Sequence, residues 1–133
     1  MDRVLSAFFL QYRRLLSKAL GDEVTPPQAQ MLHWIASQPG IHAGQLAQQS
    51  GRDKASVTRL LAPLLAAGWV ERSPDPSDQR RQCLHLSATG EHHLAGIQLA
   101  REQVNATLLA PLNSAEQQHL HTLLQKCLAS PSQ

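Results

Sequence analysis

Six of the twelve Lys and Arg residues, Arg52, Lys54, Arg59, Arg72, Arg80 and Arg81, fall between residues 52 and 81. Cationic groups at this density can neutralise phosphates, and an Arg can also grip the edge of a guanine with two hydrogen bonds. Asp53, Glu71, Asp75 and Asp78 share the stretch, and the chain's net charge of +2 names no partner by itself. The positions of the cations therefore matter more than their number. Other chemistries find less support. His92 and His93 point in different directions on a helix, and His119 and His121 do not share a face, so the seven histidines suit solvated or capping roles, with His42 at a helix N-cap. No metal site and no cofactor is expected from these spacings. Ser, His and Asp are all present, but there is no nucleophile elbow, phosphate-cradling glycine loop or HExxH helix, which argues against an enzyme. Cys83 and Cys127 lack a CxxC partner and read as reduced, mostly buried thiols.

The elements that must position the cations follow from periodicity. Leu5, Phe8, Tyr12, Leu15, Leu16 and Ala19 recur at helical steps from Asp2 to Leu20, where Gly21 ends the stripe. Thr25-Pro26-Pro27-Gln28 opens a second helix through a capping box and runs to about Gln38, stopped by Pro39-Gly40. A short third helix from Ala43 ends at Gly51. Asp53 caps a fourth, with Val57, Leu60, Leu61, Leu64 and Leu65 inward. Trp69 to Arg72 and Cys83 to Leu86 then read as two strands around a loop from Ser73 to Arg81, whose Pro74, Asp75, Pro76, Ser77 and Asp78 suit an exposed hairpin tip. Ser87 caps a fifth helix ending near Pro111. A last helix opens on Ser114-Ala115-Glu116-Gln117 as a second capping box and runs to a polar tail, Ser130 to Gln133.

Two short helices joined by a glycine turn and followed at once by a hairpin describe a winged helix-turn-helix. With its apolar side buried, the fourth helix leaves Lys54, Ala55, Ser56, Thr58, Arg59 and Ala62 outward. Arg59 suits guanine, and Ser56 and Thr58 suit bases or phosphates. A merely solvated helix face would also be polar; it is the assembly that favours a DNA contact. At the hairpin tip Arg80 and Arg81 can enter a narrow minor groove, with Asp78 holding Arg80. A surface salt bridge without function is the other reading of that pair. Pro63 lies inside the fourth helix, cannot donate to the Arg59 carbonyl, and predicts a kink.

The run Ser50-Gly51-Arg52-Asp53-Lys54-Ala55-Ser56-Val57-Thr58-Arg59-Leu60-Leu61, then Gly68-Trp69-Val70-Glu71-Arg72, then Asp75-Pro76-Ser77-Asp78-Gln79-Arg80-Arg81 and Leu86-Ser87-Ala88-Thr89-Gly90 resembles the MarR family of bacterial regulators. The family's wing pattern, Asp-x-Arg followed after five residues by Leu-Thr-x-x-Gly, is met by Asp78, Arg80, Leu86 and Gly90, with Ser87 replacing Thr and keeping the hydroxyl. The resemblance implies a mainly α protein with a small β-wing, in which a winged head at residues 25 to 90 is flanked by dimerisation helices at 1 to 24 and 91 to 133. Together these form one domain. It implies a homodimer on a pseudo-palindromic operator in double-stranded DNA, acting as a repressor. Two strongly amphipathic terminal helices around so small a head point the same way, because one head cannot cover them.

Members of that family also release DNA when a small aromatic or phenolic acid fills a crevice between body and head, for which Tyr12, Met31 and Trp34 are candidates, though all three also read as plain core. Others respond to zinc, and Glu23, His33 and His42 could be grouped, although nothing in their spacing requires it. Peroxide-sensing members use a cysteine near the N-terminus, which this chain lacks. Cys83, on a wing strand, could perturb DNA contact if modified. The N-terminus opens no signal peptide and no apolar run approaches a membrane span, so a cytoplasmic location is expected. The alternative to a DNA-binding regulator is a helical adaptor that binds protein through its apolar stripes.

Overall fold

The computed structural model describes residues 1–129. Six helices and three strands follow the order α1 (Asp2–Leu20), α2 (Pro26–Ser37), β1 (Ile41–His42), α3 (Ala43–Ser50), α4 (Lys54–Ala66), β2 (Val70–Pro74), β3 (Gln82–Leu86), α5 (Ala88–Leu109) and α6 (Ser114–Ala129). The expected tail, Ser130 to Gln133, lies outside the described residues. None of the described helices is long and apolar enough to cross a membrane.

Caps set most of the boundaries. Thr25 Oγ1 accepts from the Gln28 amide at 3.3 Å and Gln28 Oε1 from the Thr25 amide at 2.9 Å, which satisfies two orphan donors at the start of α2. The Gln28 side chain then donates to the Leu60 carbonyl at 3.2 Å and ties α2 to α4. Gly51 ends α3 in the left-handed region (φ 68°), where a side chain would be strained. α4 continues through Pro63 to Ala66 as one helix. α6 is capped one residue earlier than expected. Asn113 Oδ1 accepts from the Glu116 amide at 2.8 Å and Glu116 returns the bond at 3.0 Å, while Gln117 donates to the Leu109 and Leu112 carbonyls.

The strands form an antiparallel sheet in the order β1-β3-β2. Of its three strands the sequence announces only two, since two residues at Ile41–His42 are too few to show alternation. The hairpin pairing runs from Val70 opposite Leu86 to Pro74 opposite Gln82, so Ser73 and Pro74 belong to a strand and the loop is shorter than its composition implied. Ile41 pairs with Leu84 and His42 with Cys83.

The core lies in the head. Met31, Leu32, Ile35, Leu46, Val57, Leu61, Leu64, Val70 and Leu84 are buried together, and Leu94 and Ile97 of α5 close one side. Leu60 and Leu65 are only partly buried against them. The root of the wing is bolted to α5. The Ser87 hydroxyl donates to the carbonyls of Gly68 and Trp69 and accepts from the Gly90 amide, and a Cβ on Gly90 would stand 2.1 Å from the Trp69 carbonyl oxygen. Only glycine fits there. Trp69 in turn stacks on His93 with ring centroids 3.8 Å apart. The terminal helices differ sharply from the head: α1 buries only Leu16, and α6 buries nothing.

Candidate nucleic-acid interface

The start of α4 is built for exposure. Asp53 Oδ1 accepts from the Ser56 amide at 2.7 Å, and this bond, with help from the Ser56 hydroxyl, holds the Asp53 carboxyl below its ordinary range. The helix thereby leaves Lys54, Thr58 and Arg59 exposed and Ser56 half-buried. Arg59 donates to the Ser56 hydroxyl at 3.2 Å, so the guanidinium is steered along the helix by a neighbour that itself suits nucleic acid. The Thr58 hydroxyl donates back to the Lys54 carbonyl at 2.9 Å and keeps its acceptor lone pairs outward.

In the wing, Asp78 organises both arginines. Its Oδ1 accepts from the Arg80 amide at 3.1 Å and from Arg80 Nε at 3.3 Å, while Oδ2 lies 3.6 Å from Arg81 Nε. The Arg80 side chain is 92% exposed, so such a pair adds little stability in water. Its effect is to aim two guanidinium groups. The tip is closed by a hydrogen bond from the Asp75 amide to the Arg81 carbonyl.

Helix and wing meet on one surface. Lys54 and Thr58 from α4 line a cavity of about 250 Å³ together with Arg72, Arg80, Arg81 and Gln82 from the wing. Arg52 is exposed but lies elsewhere, in a second cavity of about 560 Å³ beside Tyr12, Arg13, Pro26, Gln30 and Arg101. Of the three crevice candidates, Tyr12 alone lines that cavity. Met31 is enclosed in the head core and Trp34 packs half-buried against it. Arg101 Nε is buried there without a hydrogen-bond partner.

One cluster escaped the reading of the sequence. His42 Nε2 lies 2.7 Å from Asp75 Oδ2 and 3.9 Å from Cys83 Sγ, and the three ligating atoms fall within 4.8 Å of one another. Asp75 is buried, and its carboxyl is lowered to about 2 by the amide and hydroxyl of Ser77 and then by His42. The imagined grouping of Glu23, His33 and His42 does not form: Glu23 faces His93 at 3.8 Å, and His42 turns to the wing. Cys83 is buried as expected, but Cys127 is exposed.

Residues 23–81 match the MarR family model. A putative transcriptional regulatory protein for the hcr operon of Thauera aromatica is 32% identical over 96% of this chain and 75% of its own length. The multiple antibiotic resistance protein MarR of Escherichia coli strain K12 is 32% identical over 86% of this chain and 81% of its own. Among solved structures, a cysteine-to-serine variant of Escherichia coli MarR complexed with operator DNA superposes with a TM-score of 0.83 at 29% identity, covering 96% of this chain and 92% of that one.

Proposed function

The chain belongs to the MarR family of DNA-binding transcription regulators, and on that premise we propose that it is a repressor that binds a pseudo-palindromic operator as a homodimer. One observation carries the reading: Lys54 and Thr58 of α4 and the cations Arg72, Arg80 and Arg81 of the wing line the same cavity, while Arg59 is exposed on α4 outside it. The major groove admits one helix, and the minor groove rewards an inserted guanidinium where it is narrow. Ser56, Thr58 and Arg59 then read bases, Arg80 and Arg81 follow groove width under the control of Asp78, and Lys54 holds a phosphate; Arg52, which lines the other cavity, lies away from this surface. A bacterial chromosome as target places the protein in the cytoplasm.

The dimer reading rests on the terminal helices. Residues 25 to 90 act as the head of a single domain and the helices outside them as its body. Phe8 and Phe9 of α1 and Leu120 and Leu124 of α6 line an apolar cavity with Leu108 and Leu109, open on one side, and a second copy is the surface that would close it. Two heads so joined would offer recognition helices about 34–36 Å apart, one turn of DNA. An adaptor without DNA binding would leave the cationic surface without a purpose.

Salt and substitution test this together. Affinity for genomic fragments retained by the protein should fall steeply with salt, by a log–log slope of about 0.9 per phosphate neutralised. Arg59→Ala should cost about 1–3 kcal/mol and relax preference at one base pair, whereas Arg80→Ala should weaken binding across sequences and flatten the slope. Salt-insensitive binding that survives both changes would sink the DNA reading.

A second reading concerns release. Arg101 Nε, buried and unpaired, with Arg13 and Tyr12 beside it, suits the carboxylate of a small aromatic acid. Salicylate should lower operator affinity of the wild type and have no effect on an Arg101→Met protein; equal sensitivity of the two would remove this site.

A further inference from the structure

We propose that His42, Asp75 and Cys83 form a binding site for a zinc-type divalent cation that braces the wing against the start of α3. The three residues come from separate parts of the head. His42 ends β1 at the N-cap of α3, Asp75 opens the wing loop, and Cys83 lies on β3 directly opposite His42 in the sheet. The β1–β3 pairing brings His42 to Cys83, and the β2–β3 hairpin brings Asp75 to both.

The donor set selects the metal. An imidazole, a thiolate and a carboxylate suit zinc or cobalt, whereas magnesium and calcium prefer oxygen alone. Three protein ligands leave a fourth tetrahedral position for water. With metal arms of about 2.0–2.3 Å, the nitrogen–sulfur edge should be about 3.5 Å and the nitrogen–oxygen edge about 3.3 Å. The first is close to the 3.9 Å observed, and the second asks the 2.7 Å contact to open by about half an ångström. The surroundings hold the ligands for this role. Asp75 Oδ1 accepts from the Ser77 amide and hydroxyl, both at 2.8 Å, leaving Oδ2 for the ion. Gln45 accepts from the His42 amide at 2.9 Å and fixes the backbone there. Solvent reaches His42 through the cavities lined by Gly44, Lys54 and Arg81.

Binding needs no redox partner. The Cys83 S–H bond breaks heterolytically, its proton goes to solvent, and the sulfur pair forms the bond to the ion. Two positive charges meet one thiolate and one carboxylate, so the complex is neutral beside Lys54 and Arg81. The ion thereby fastens the wing loop and β3 to the turn that begins α3.

Cobalt(II) added to the metal-stripped full chain reports on this directly, independently of DNA. One equivalent should produce a near-ultraviolet thiolate-to-cobalt charge-transfer band and the visible bands of a tetrahedral ion, displaced by zinc. Cys83→Ser should abolish the charge-transfer band, His42→Gln and Asp75→Asn should each weaken binding at least about tenfold, and Cys127→Ser should change nothing. A circular dichroism spectrum establishes that each variant is folded; should Cys83→Ser fail, the other two variants decide. No charge-transfer band in the wild type, a band that survives Cys83→Ser but not Cys127→Ser, or full-strength binding by both His42→Gln and Asp75→Asn would overturn the proposal.

Discussion

The head and the terminal helices use the same aliphatic residues to opposite ends. In the head, Leu32, Leu46 and Val57 are 0% exposed, whereas in the outer helices Val4 is 67% and Leu128 85% exposed. A chain that spends its leucines this unevenly has one part whose apolar residues are buried and another whose apolar surface stays uncovered in the single chain. Under the proposed dimer, stability and assembly are separable, and each should be breakable without the other.

The largest effect should come from the head core. Leu32→Ala should destabilise the folded chain by about 2–5 kcal/mol in denaturant titration, through lost burial and the cavity left behind. A loss below 1 kcal/mol would mean that the head is not the stable unit. Next comes the bolt at the wing root. Gly90→Ala places a methyl against the Trp69 carbonyl and should cost about 1–3 kcal/mol; because backbone must shift, wing contacts to DNA should weaken as well.

Leu124→Gln sharpens the contrast from the other side. Unfolding of the isolated chain should move by no more than about 0.5 kcal/mol, while sedimentation should show a dimer that dissociates at higher concentration than the wild type. A large change in chain stability with unchanged association would assign α6 to the head after all. The smallest expected effect is electrostatic. Since the folded Asp53 carboxyl is held below its ordinary value of 3.8, its cap contributes stability that is complete above that value and is lost as pH falls through the lower folded one. The melting-temperature gap between the wild type and Asp53→Ala should accordingly close under acid; a gap constant from pH 6 to pH 2 would show that the charge is irrelevant.

The parts that were legible in the sequence are those with local signals. Thr25-Pro26-Pro27-Gln28 names its own capping box, and the steps from Val57 to Leu64 name the buried side of α4. The misplaced start of α6 has a local cause too: Asn113-x-x-Glu116 and Ser114-x-x-Gln117 are overlapping capping boxes, and the pair with a carboxylate forms. Non-local facts were out of reach. His42 is 33 residues from Asp75 and 41 from Cys83, and the two-residue strand that gathers them carries no period to read. The cavity at Arg101 likewise depends on how α1 and α5 cross, so Tyr12 could be named while Arg101 could not.

The contact between Gly90 and Trp69 has a mechanical meaning. It removes the play between the wing root and the first turn of a 22-residue helix, which is about 33 Å of stiff rod. The rod is a lever. A tilt of about 5° about its far end would carry the wing root through about 3 Å, and the wing with its two arginines would move with it.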